Sequence, residues 1–205
     1  YPISLGQACS WNPELVEKAC AVTAQEARMS GVDWTFSPMI DVARDPRWGR
    51  IAESCGEDPY LSAAMGVAMV KGFQGDSLNN PTAVAACAKH FAVHSGPEAL
   101  RHEFDAEASA KDMEETYLPA FEGLVKEAKV EAVMGAYNRT NGEPCCGSPT
   151  LQKKLRGEWK FQGHFVSDCW AIRDFHEHHM VTDTAVESAA LALNNGCDLN
   201  CGNTY

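Results

Sequence analysis

The sequence has no run of about 18 or more apolar residues, so it contains no candidate membrane-spanning helix. It also lacks an excess of positive charge. The formal net charge is −11, and we expect no nucleic-acid partner because phosphate binding requires a basic surface. The first residues show neither an initiating Met nor a basic start followed by an apolar segment. We therefore expect the chain to be a piece of a longer protein.

Signatures of metal and nucleotide sites are missing as well. No Cys-x-x-Cys pair or Cys/His set has zinc spacing, and HEHH at 176–179 lacks the second His of a metalloprotease helix, so we interpret it as a solvated loop. The glycine-rich dinucleotide fingerprint is also absent, and no cofactor is predicted. Of the nine cysteines, Cys87, Cys169 and Cys197 lie in apolar runs and are predicted to be small buried side chains rather than disulfide partners.

What is present is a globular composition with alternating helix and strand patterns. Hydrophobic residues make up 45% of the chain and charged residues 22%, enough for one domain with a core. Helix patterns cover 12–31, 57–75, 109–128, 148–160 and 184–196, and strand patterns cover 32–42, 83–94, 130–138, 163–172 and 197–202. Such alternation predicts parallel strands joined by right-handed crossovers. We predict an α/β fold, an incomplete (β/α)8 TIM-like barrel, with an open doubly wound sheet as the alternative.

Polar residues follow each predicted strand at its carboxyl end, where barrels place their functional groups. Hydroxyl groups of a sugar need donors and acceptors, an aromatic ring can cover a pyranose face, and a central carboxylate can be a nucleophile or a base. The pattern therefore indicates a polar pocket for a small carbohydrate. The residues are Arg44, Asp45, Arg47 and Arg50 after the first strand; Lys89, His90 and His94; Tyr137 and Asn138; Asp168 and Trp170; and Asp198 and Asn200.

Six motifs in order along the chain resemble glycoside hydrolase family 3. They are RDPRWGR at 44–50, ESCGEDPYL at 53–61, KHF at 89–91, MGAYN at 134–138, VSDC at 166–169 and GCDLNCG at 196–202. The resemblance implies a retaining exo-acting β-glycosidase with a TIM-like barrel over residues 1–205, no metal in its chemistry, and a second α/β sandwich domain further along the protein. It also implies a secreted or periplasmic location.

Carried over residue by residue, the resemblance implies that Asp168 is the nucleophile. Arg50, Lys89 and His90 would bind the hydroxyl groups of the sugar, and Tyr137 would lie beside the nucleophile. Many members have Trp directly after the nucleophile, whereas this chain has Cys169 there and Trp170 one position later, which we take as a further substrate-binding candidate.

The second carboxylic acid of a retaining glycosidase has no assigned candidate in this chain. In the resembling branch it is a Glu of the second domain. Another branch, which acts on N-acetylglucosaminides, uses an Asp-x-His pair, and here Leu100 takes the place of that Asp although His102 is present. This absence counts against that branch. The segments SDC at 167–169, HSGPEALRHEFDA at 94–106 and GCDLNCGNTY at 196–205 are similar to the β-xylosidase-like branch, so the resemblance favours a β-xylosidase, with a β-glucosidase or an inactive carbohydrate-binding barrel as alternatives.

Other charged and polar residues near the motifs receive structural interpretations. We predict that Arg44, Asp45, Arg47 and Asp41 brace loops as ion pairs, and that Glu53, Glu57 and Asp58 cap the helix that follows them. Asn138 begins an N-x-T glycosylation sequon, but its position at a strand end predicts that it stays unmodified.

Overall fold

The computed structural model describes residues 1–205 and shows parallel strands alternating with helices. The strands are β1 (Cys87–Phe91), β2 (Asp105–Ala106), β3 (Ala132–Gly135), β4 (Arg139–Thr140), β5 (Glu143–Pro144) and β6 (His164–Ser167). The α-helices are α1 (Ser4–Ala8), α2 (Pro13–Met29), α3 (Pro59–Gln74), α4 (Ala110–Asp112), α5 (Pro119–Lys126), α6 (Pro149–Gln152), α7 (Asp174–Glu177) and α8 (Ala185–Asn194). None of these helices is both long and apolar enough to cross a membrane.

The central sheet is the arc of a barrel wall. Strands β1, β3 and β6 pair in parallel in that order, and β3 pairs with β6 in continuous register from Ala132–His164 to Gly135–Ser167. Single parallel bridges continue the arc on both sides, from Trp34 to Ala85 and from Val166 to Leu199. Five chain segments thus lie side by side in sequence order, which confirms the predicted parallel arrangement with crossovers.

Both outer segments of the arc are less regular than predicted. The 32–42 segment forms only isolated bridges, at Trp34 and Met39, and no continuous strand. Pro38 lies between these bridges and has no N–H to donate to a ladder, which explains the interruption. The 197–202 segment likewise contributes a single bridge, because the Asp198 side chain, and not a backbone partner, accepts the N–H of Phe165.

The predicted helices are present, and their starts follow the predicted caps. Asn12 accepts the N–H of Leu15 at the start of α2, and Asp58 accepts the N–H of Leu61 at the start of α3. The 109–128 helix differs, because a π-helical turn at Met113–Tyr117 separates α4 from α5. Pro119 opens α5 and offers no N–H to the preceding turn, so the ladder is broken there. A second π-helical segment, Lys153–Glu158, follows α6.

The sheet has two apolar faces, as a covered barrel wall requires. The outer face meets the helices and contributes Val133 and Phe165 to a cluster of 37 buried residues. The inner face holds Cys87, Ala132, Met134 and Val166, against which Trp34 and Cys201 pack. Side chains on each strand alternate between these two clusters, so burial on both faces explains the nearly continuous apolar sequence of the strands.

Two features of the chain were not predicted. Strands β2, β4 and β5 form a small second sheet, in which β2 and β4 are parallel and β4 and β5 antiparallel. Cys169 and Cys201 form a disulfide, so the prediction of Cys169 as an unpaired buried side chain is wrong, whereas Cys87 and Cys197 are buried and unpaired as expected. The two partners are 32 residues apart in sequence, and only the parallel packing of their segments brings them together.

Candidate active site

Asp168 is the first residue after β6 and lies at the carboxyl end of the sheet. Its backbone N–H continues the ladder to the Gly135 carbonyl at 3.1 Å, and its Oδ1 accepts the N–H of Cys169 at 2.7 Å. The side chain is largely buried, and its Oδ2 atom accepts no hydrogen bond of normal geometry within the chain. One carboxylate oxygen is therefore held by the backbone, while the other has no hydrogen-bond partner within the chain.

Burial raises the pKa of the Asp168 carboxyl above its usual value. The N–H of Cys169 and the positive charges of Arg50 and Lys89 act in the opposite direction and favour the carboxylate. Two cations near a single carboxylate provide the charge compensation that a buried ionised acid requires.

His90 lies between the nucleophile candidate and the first strand segment. Its Nε2 lies 3.4 Å from Asp168 Oδ2, and its Nδ1 lies 2.8 Å from Oδ2 of Asp41, which also accepts the His90 backbone N–H at 3.0 Å. Burial, followed by the charge of Arg50, lowers the pKa of His90 well below its usual value, so the ring is neutral. The arrangement assigns the Nδ1 proton to the bond with Asp41.

Asp41 is a supporting residue of this site and not the loop-bracing ion-pair partner that the sequence predicted. It is buried, and burial raises its pKa to about 6, with partial opposition from His94 and from the bond to the His90 backbone. Its carboxyl group fixes both the main chain and the ring of His90, so it determines where Nε2 points.

Arg50 contributes a guanidinium oriented by two neighbours. Its Nε and Nη2 donate to the two carboxylate oxygens of Glu53 at 2.8 Å each, and its Nη1 lies 3.0 Å from the Nε2 of His90. The fork geometry is the bidentate pairing that carboxylates and guanidinium groups favour. Glu53 is therefore a partner of Arg50, and the prediction that it caps the following helix is wrong.

Lys89 is a partly buried cation without an ion-pair partner within 4 Å. Burial, followed by the charge of Arg50, lowers its pKa, and Asp168 opposes the shift. Simple pleating would place Lys89 and His90 on opposite faces of β1. The register between β1 and β3 shifts between Ala88 and Phe91, so the regular alternation of faces does not hold across these two residues.

Tyr137 and Trp170 lie at the edge of this cluster. Tyr137 follows β3, and its hydroxyl is close enough to Asp168 to lower the pKa of that carboxyl, while burial and the Asp168 charge raise the pKa of the phenol. Trp170 lies on the turn after Asp168, is 43% exposed, and has the Arg173 guanidinium over its ring at 5.5 Å. The ring is thus accessible to a ligand, and its role in sugar binding stays a prediction.

Several predicted rim residues lie away from the cluster. Asp198 pairs with Arg156 at 2.6 Å at the amino end of β6, which is the opposite end of the sheet. Arg47 binds Asp45, and Arg44 binds Asp112, as loop-bracing pairs. These positions follow strands in sequence, but each forms an ion pair with a residue outside the cluster.

Two polar predictions near the strand ends also have structural outcomes. Asn138 is fully buried, and its amide donates to the carbonyls of Val93 and Arg139, so the sequon is inaccessible. The HEHH segment is not a solvated loop: His179 is buried against Phe175, and His178 approaches the buried Asp174. No group of three or more His, Cys, Asp or Glu side chains is arranged to hold a metal ion.

Residues 1–204 match the family described as "Glycosyl hydrolase family 3 N terminal domain". The chain belongs to glycosyl hydrolase family 3. Among curated relatives, a xylan 1,4-β-xylosidase of Xylanibacter ruminicola is 45% identical over the whole of this chain, and β-D-xylosidase 1 of Arabidopsis thaliana is 37% identical over 98% of it. The chain spans 26% and 28% of the length of these two relatives.

Solved structures of family 3 members share this fold. A β-glucosidase from Listeria innocua in complex with glucose has a TM-score of 0.92 at 39% identity over 98% of the chain. The family 3 exo-β-xylosidase XlnD in complex with a xylobiose aziridine probe has a TM-score of 0.94 at 26% identity over the whole chain. The chain covers 28% of each of those proteins. The predicted TIM-like barrel and the predicted family membership are therefore confirmed.

Proposed function

We propose that this family 3 chain carries the nucleophile half of a retaining exo-acting β-glycosidase, with β-D-xylosides as the preferred substrates. The single observation that supports it most strongly is the free Oδ2 of buried Asp168 among Arg50, Lys89 and His90. A carboxylate with one unpaired oxygen and adjacent cations has the negative charge and the free oxygen atom that a nucleophile needs to form a glycosyl-enzyme.

In the proposed reaction, Asp168 Oδ2 attacks the anomeric carbon of the terminal sugar. A bond forms from that oxygen to the carbon, the glycosidic C–O bond breaks, and an acid protonates the departing oxygen. Water then cleaves the glycosyl ester and restores the carboxylate. His90, Arg50 and Lys89 would hold the hydroxyl groups of the sugar, Tyr137 would lie at the nucleophile, and Trp170 would offer an aromatic face.

The acid of this reaction is proposed to be a Glu from a second domain of the same protein, an α/β sandwich that follows residues 1–205. No candidate in the described cluster fits the role: Glu53 is committed to Arg50, and Asp41 to His90. The short share of the relatives' length that the chain spans is in keeping with this proposal.

The names of the relatives support two different sugars, xylose and glucose. Curated relatives named xylosidases reach 45% identity, whereas the structure of a β-glucosidase complexed with glucose is 39% identical. We place β-xylosides first because the curated relative at 45% identity is named a xylosidase, and β-glucosides second because a β-glucosidase at 39% identity exceeds the other two xylosidases described above, at 37% and 26%.

The decisive experiment compares nitrophenyl β-xyloside and nitrophenyl β-glucoside with the whole protein that contains this chain. We expect hydrolysis with retention, faster for the xyloside than for the glucoside. Asp168→Asn should lower kcat about 10³-fold or more, because it keeps the shape of the side chain and removes its negative charge. Incubation with a 2-fluoro xyloside should leave a covalent adduct on the peptide that contains Asp168, detected by mass spectrometry.

Three results would count against the proposal in different ways. Faster hydrolysis of the glucoside would replace the substrate and keep the mechanism. Binding of sugars without hydrolysis would favour a carbohydrate-binding barrel. An Asp168→Asn variant with near-normal turnover would remove the nucleophile assignment.

A further inference from the structure

Asp174, six residues beyond the nucleophile candidate, is a buried carboxylate with one close partner. Oδ2 of Asp174 lies 2.7 Å from the Nδ1 of His102, and Oδ1 lies 3.7 Å from the Nε2 of His178. Burial raises the pKa of Asp174, and the bond with His102 opposes that shift. Because a buried carboxylate is unfavourable without a partner, this bond fixes the ring of His102 in place.

The fixed ring of His102 rests against the ring of Tyr137. Their centroids are 4.4 Å apart with an interplanar angle of 62°, which is the edge-on geometry that aromatic pairs favour. The hydroxyl of Tyr137 lies close enough to Asp168 to lower the pKa of that carboxyl, although no hydrogen bond of normal geometry joins the two groups. A series of contacts therefore runs from Asp174 through His102 to the ring of Tyr137, whose hydroxyl lies close to the nucleophile candidate.

His102 lies at one end of the segment 98–102, and the other end of that segment binds the loop that precedes Arg50. Glu98 accepts the N–H of Gly49 at 3.0 Å, and its own N–H donates to the Arg47 carbonyl at 3.2 Å. Arg101 forms an ion pair with Glu98 within the segment. Residues 98–102 thus connect the loop that precedes Arg50 with the loop that follows Asp168.

We infer that His102 and Asp174 are positioning residues that hold Tyr137 against Asp168, an inference that rests on the proposed glycosidase function. His102 reaches the site through the ring of Tyr137, and Asp174 acts only through His102. The pair supplies rigidity: it places a phenol hydroxyl at the carboxylate before a sugar arrives, and a displacement of about 1 Å at such a place can slow a reaction about 10²-fold.

The test is a double-mutant cycle in the whole protein, with His102→Ala, Tyr137→Phe and the combination, assayed on nitrophenyl β-xyloside. Each kcat is divided by the fraction of molecules that the 2-fluoro xyloside traps. We expect His102→Ala to lower kcat about 10-fold with KM changed less than about 3-fold. In the Tyr137→Phe background the same change should lower kcat less than about 2-fold, because the hydroxyl it positions is gone.

A second pair of variants separates positioning from a charge effect. Asp174→Asn keeps an oxygen that can accept the proton of His102, so it should keep kcat within about 3-fold of the wild type. Asp174→Ala removes that oxygen and should lower kcat as much as His102→Ala does. His164→Ala is the matched control, because His164 is a half-buried histidine at the amino end of β6, and its kcat should stay unchanged.

The outcomes distinguish this inference from the function on which it rests. A wild-type protein that neither hydrolyses nor is trapped overturns the proposed function. An active wild type with unchanged kcat per trapped site in His102→Ala overturns the positioning role, even if the variant unfolds at lower temperature. The inference is also overturned if the double variant lowers kcat by the product of the two single reductions, or if Asp174→Asn is as slow as Asp174→Ala.

Discussion

At the scale of single residues, the neutral buried histidines make stability depend on pH. His94 is buried beside His90, with ring centroids 4.4 Å apart, and burial together with the neighbouring His90 lowers the pKa of His94 to about 3. The unfolded chain protonates the same ring at about pH 6.5. Below that pH the unfolded state binds more protons than the folded state, so stability is fully present above pH 6.5 and falls as the pH drops.

We expect the unfolding temperature to fall by several degrees between pH 7 and pH 5, and a calorimeter or circular dichroism would measure it. Asp41, whose pKa is raised to about 6, acts in the opposite direction, since its folded form binds a proton more readily than its unfolded form. His90 and His179 act with His94, whereas Asp168 and Asp174, whose pKa values burial also raises, act with Asp41, so the contribution of His94 is measured by comparing variants. His94→Asn should reduce the fall, and the half-buried His164→Asn should not. An equal fall in all three proteins would contradict the argument.

The residues of the site differ in how well sequence could find them. Arg50, Lys89, His90, Tyr137 and Asp168 belong to ordered motifs, and the structure gathers them around one carboxylate; their roles remain predictions. Asp41 and Glu53 were assigned other structural roles, because which acid accepts from which base depends on packing between segments. The His102–Asp174 bond spans 72 positions and has no local signal at all.

At the scale of elements, close contact between α2 and α3 depends on one glycine. A Cβ at Gly72 would lie 2.3 Å from the carbonyl oxygen of Glu17 in α2, an atom of the main chain that cannot move aside alone. The two helices therefore pack at a distance that only a glycine permits. Gly123 in α5 is different, because a Cβ there would meet the Val67 side chain at an ordinary 3.6 Å.

These two glycines give a matched pair of variants. Gly72→Ala should destabilise the protein by about 1–3 kcal/mol through overpacking. Gly123→Ala should be neutral or stabilise it by up to about 1 kcal/mol, since alanine loses less conformational entropy in a helix. Chemical denaturation of both variants measures the difference. Equal effects would show that the α2–α3 contact adjusts freely.

Helices were easier to predict than strand ends for a physical reason. Caps such as Asn12 and Asp58 are local bonds to the next turn, and the sequence displays them directly. The edge segments at 32–42 and 197–202 depend on which backbone groups find partners across the sheet, and these partners are distant in sequence. The π-helical turn before Pro119 could be anticipated only as a break, because proline marks the position without specifying the geometry.

At the scale of the whole molecule, the two outer segments of the arc form only isolated bridges, and these lie on one side of each segment. They are at Trp34 and Met39 in the first segment and at Leu199 in the last. Backbone groups on the free sides can pair with another chain. Large apolar side chains are also exposed in the same molecule, among them Trp11, Met29 and Val186. A closed barrel of eight strands has no such edges.

We therefore expect a protein consisting of residues 1–205 alone to self-associate. Size-exclusion chromatography with light scattering should give a mass above 22.3 kDa that rises with concentration, together with low solubility. The net charge of −11 opposes association by repulsion, so the effect should strengthen when salt screens that charge. A monodisperse 22.3 kDa species that hydrolyses nitrophenyl β-xyloside would refute both this expectation and the assignment of the acid to another domain.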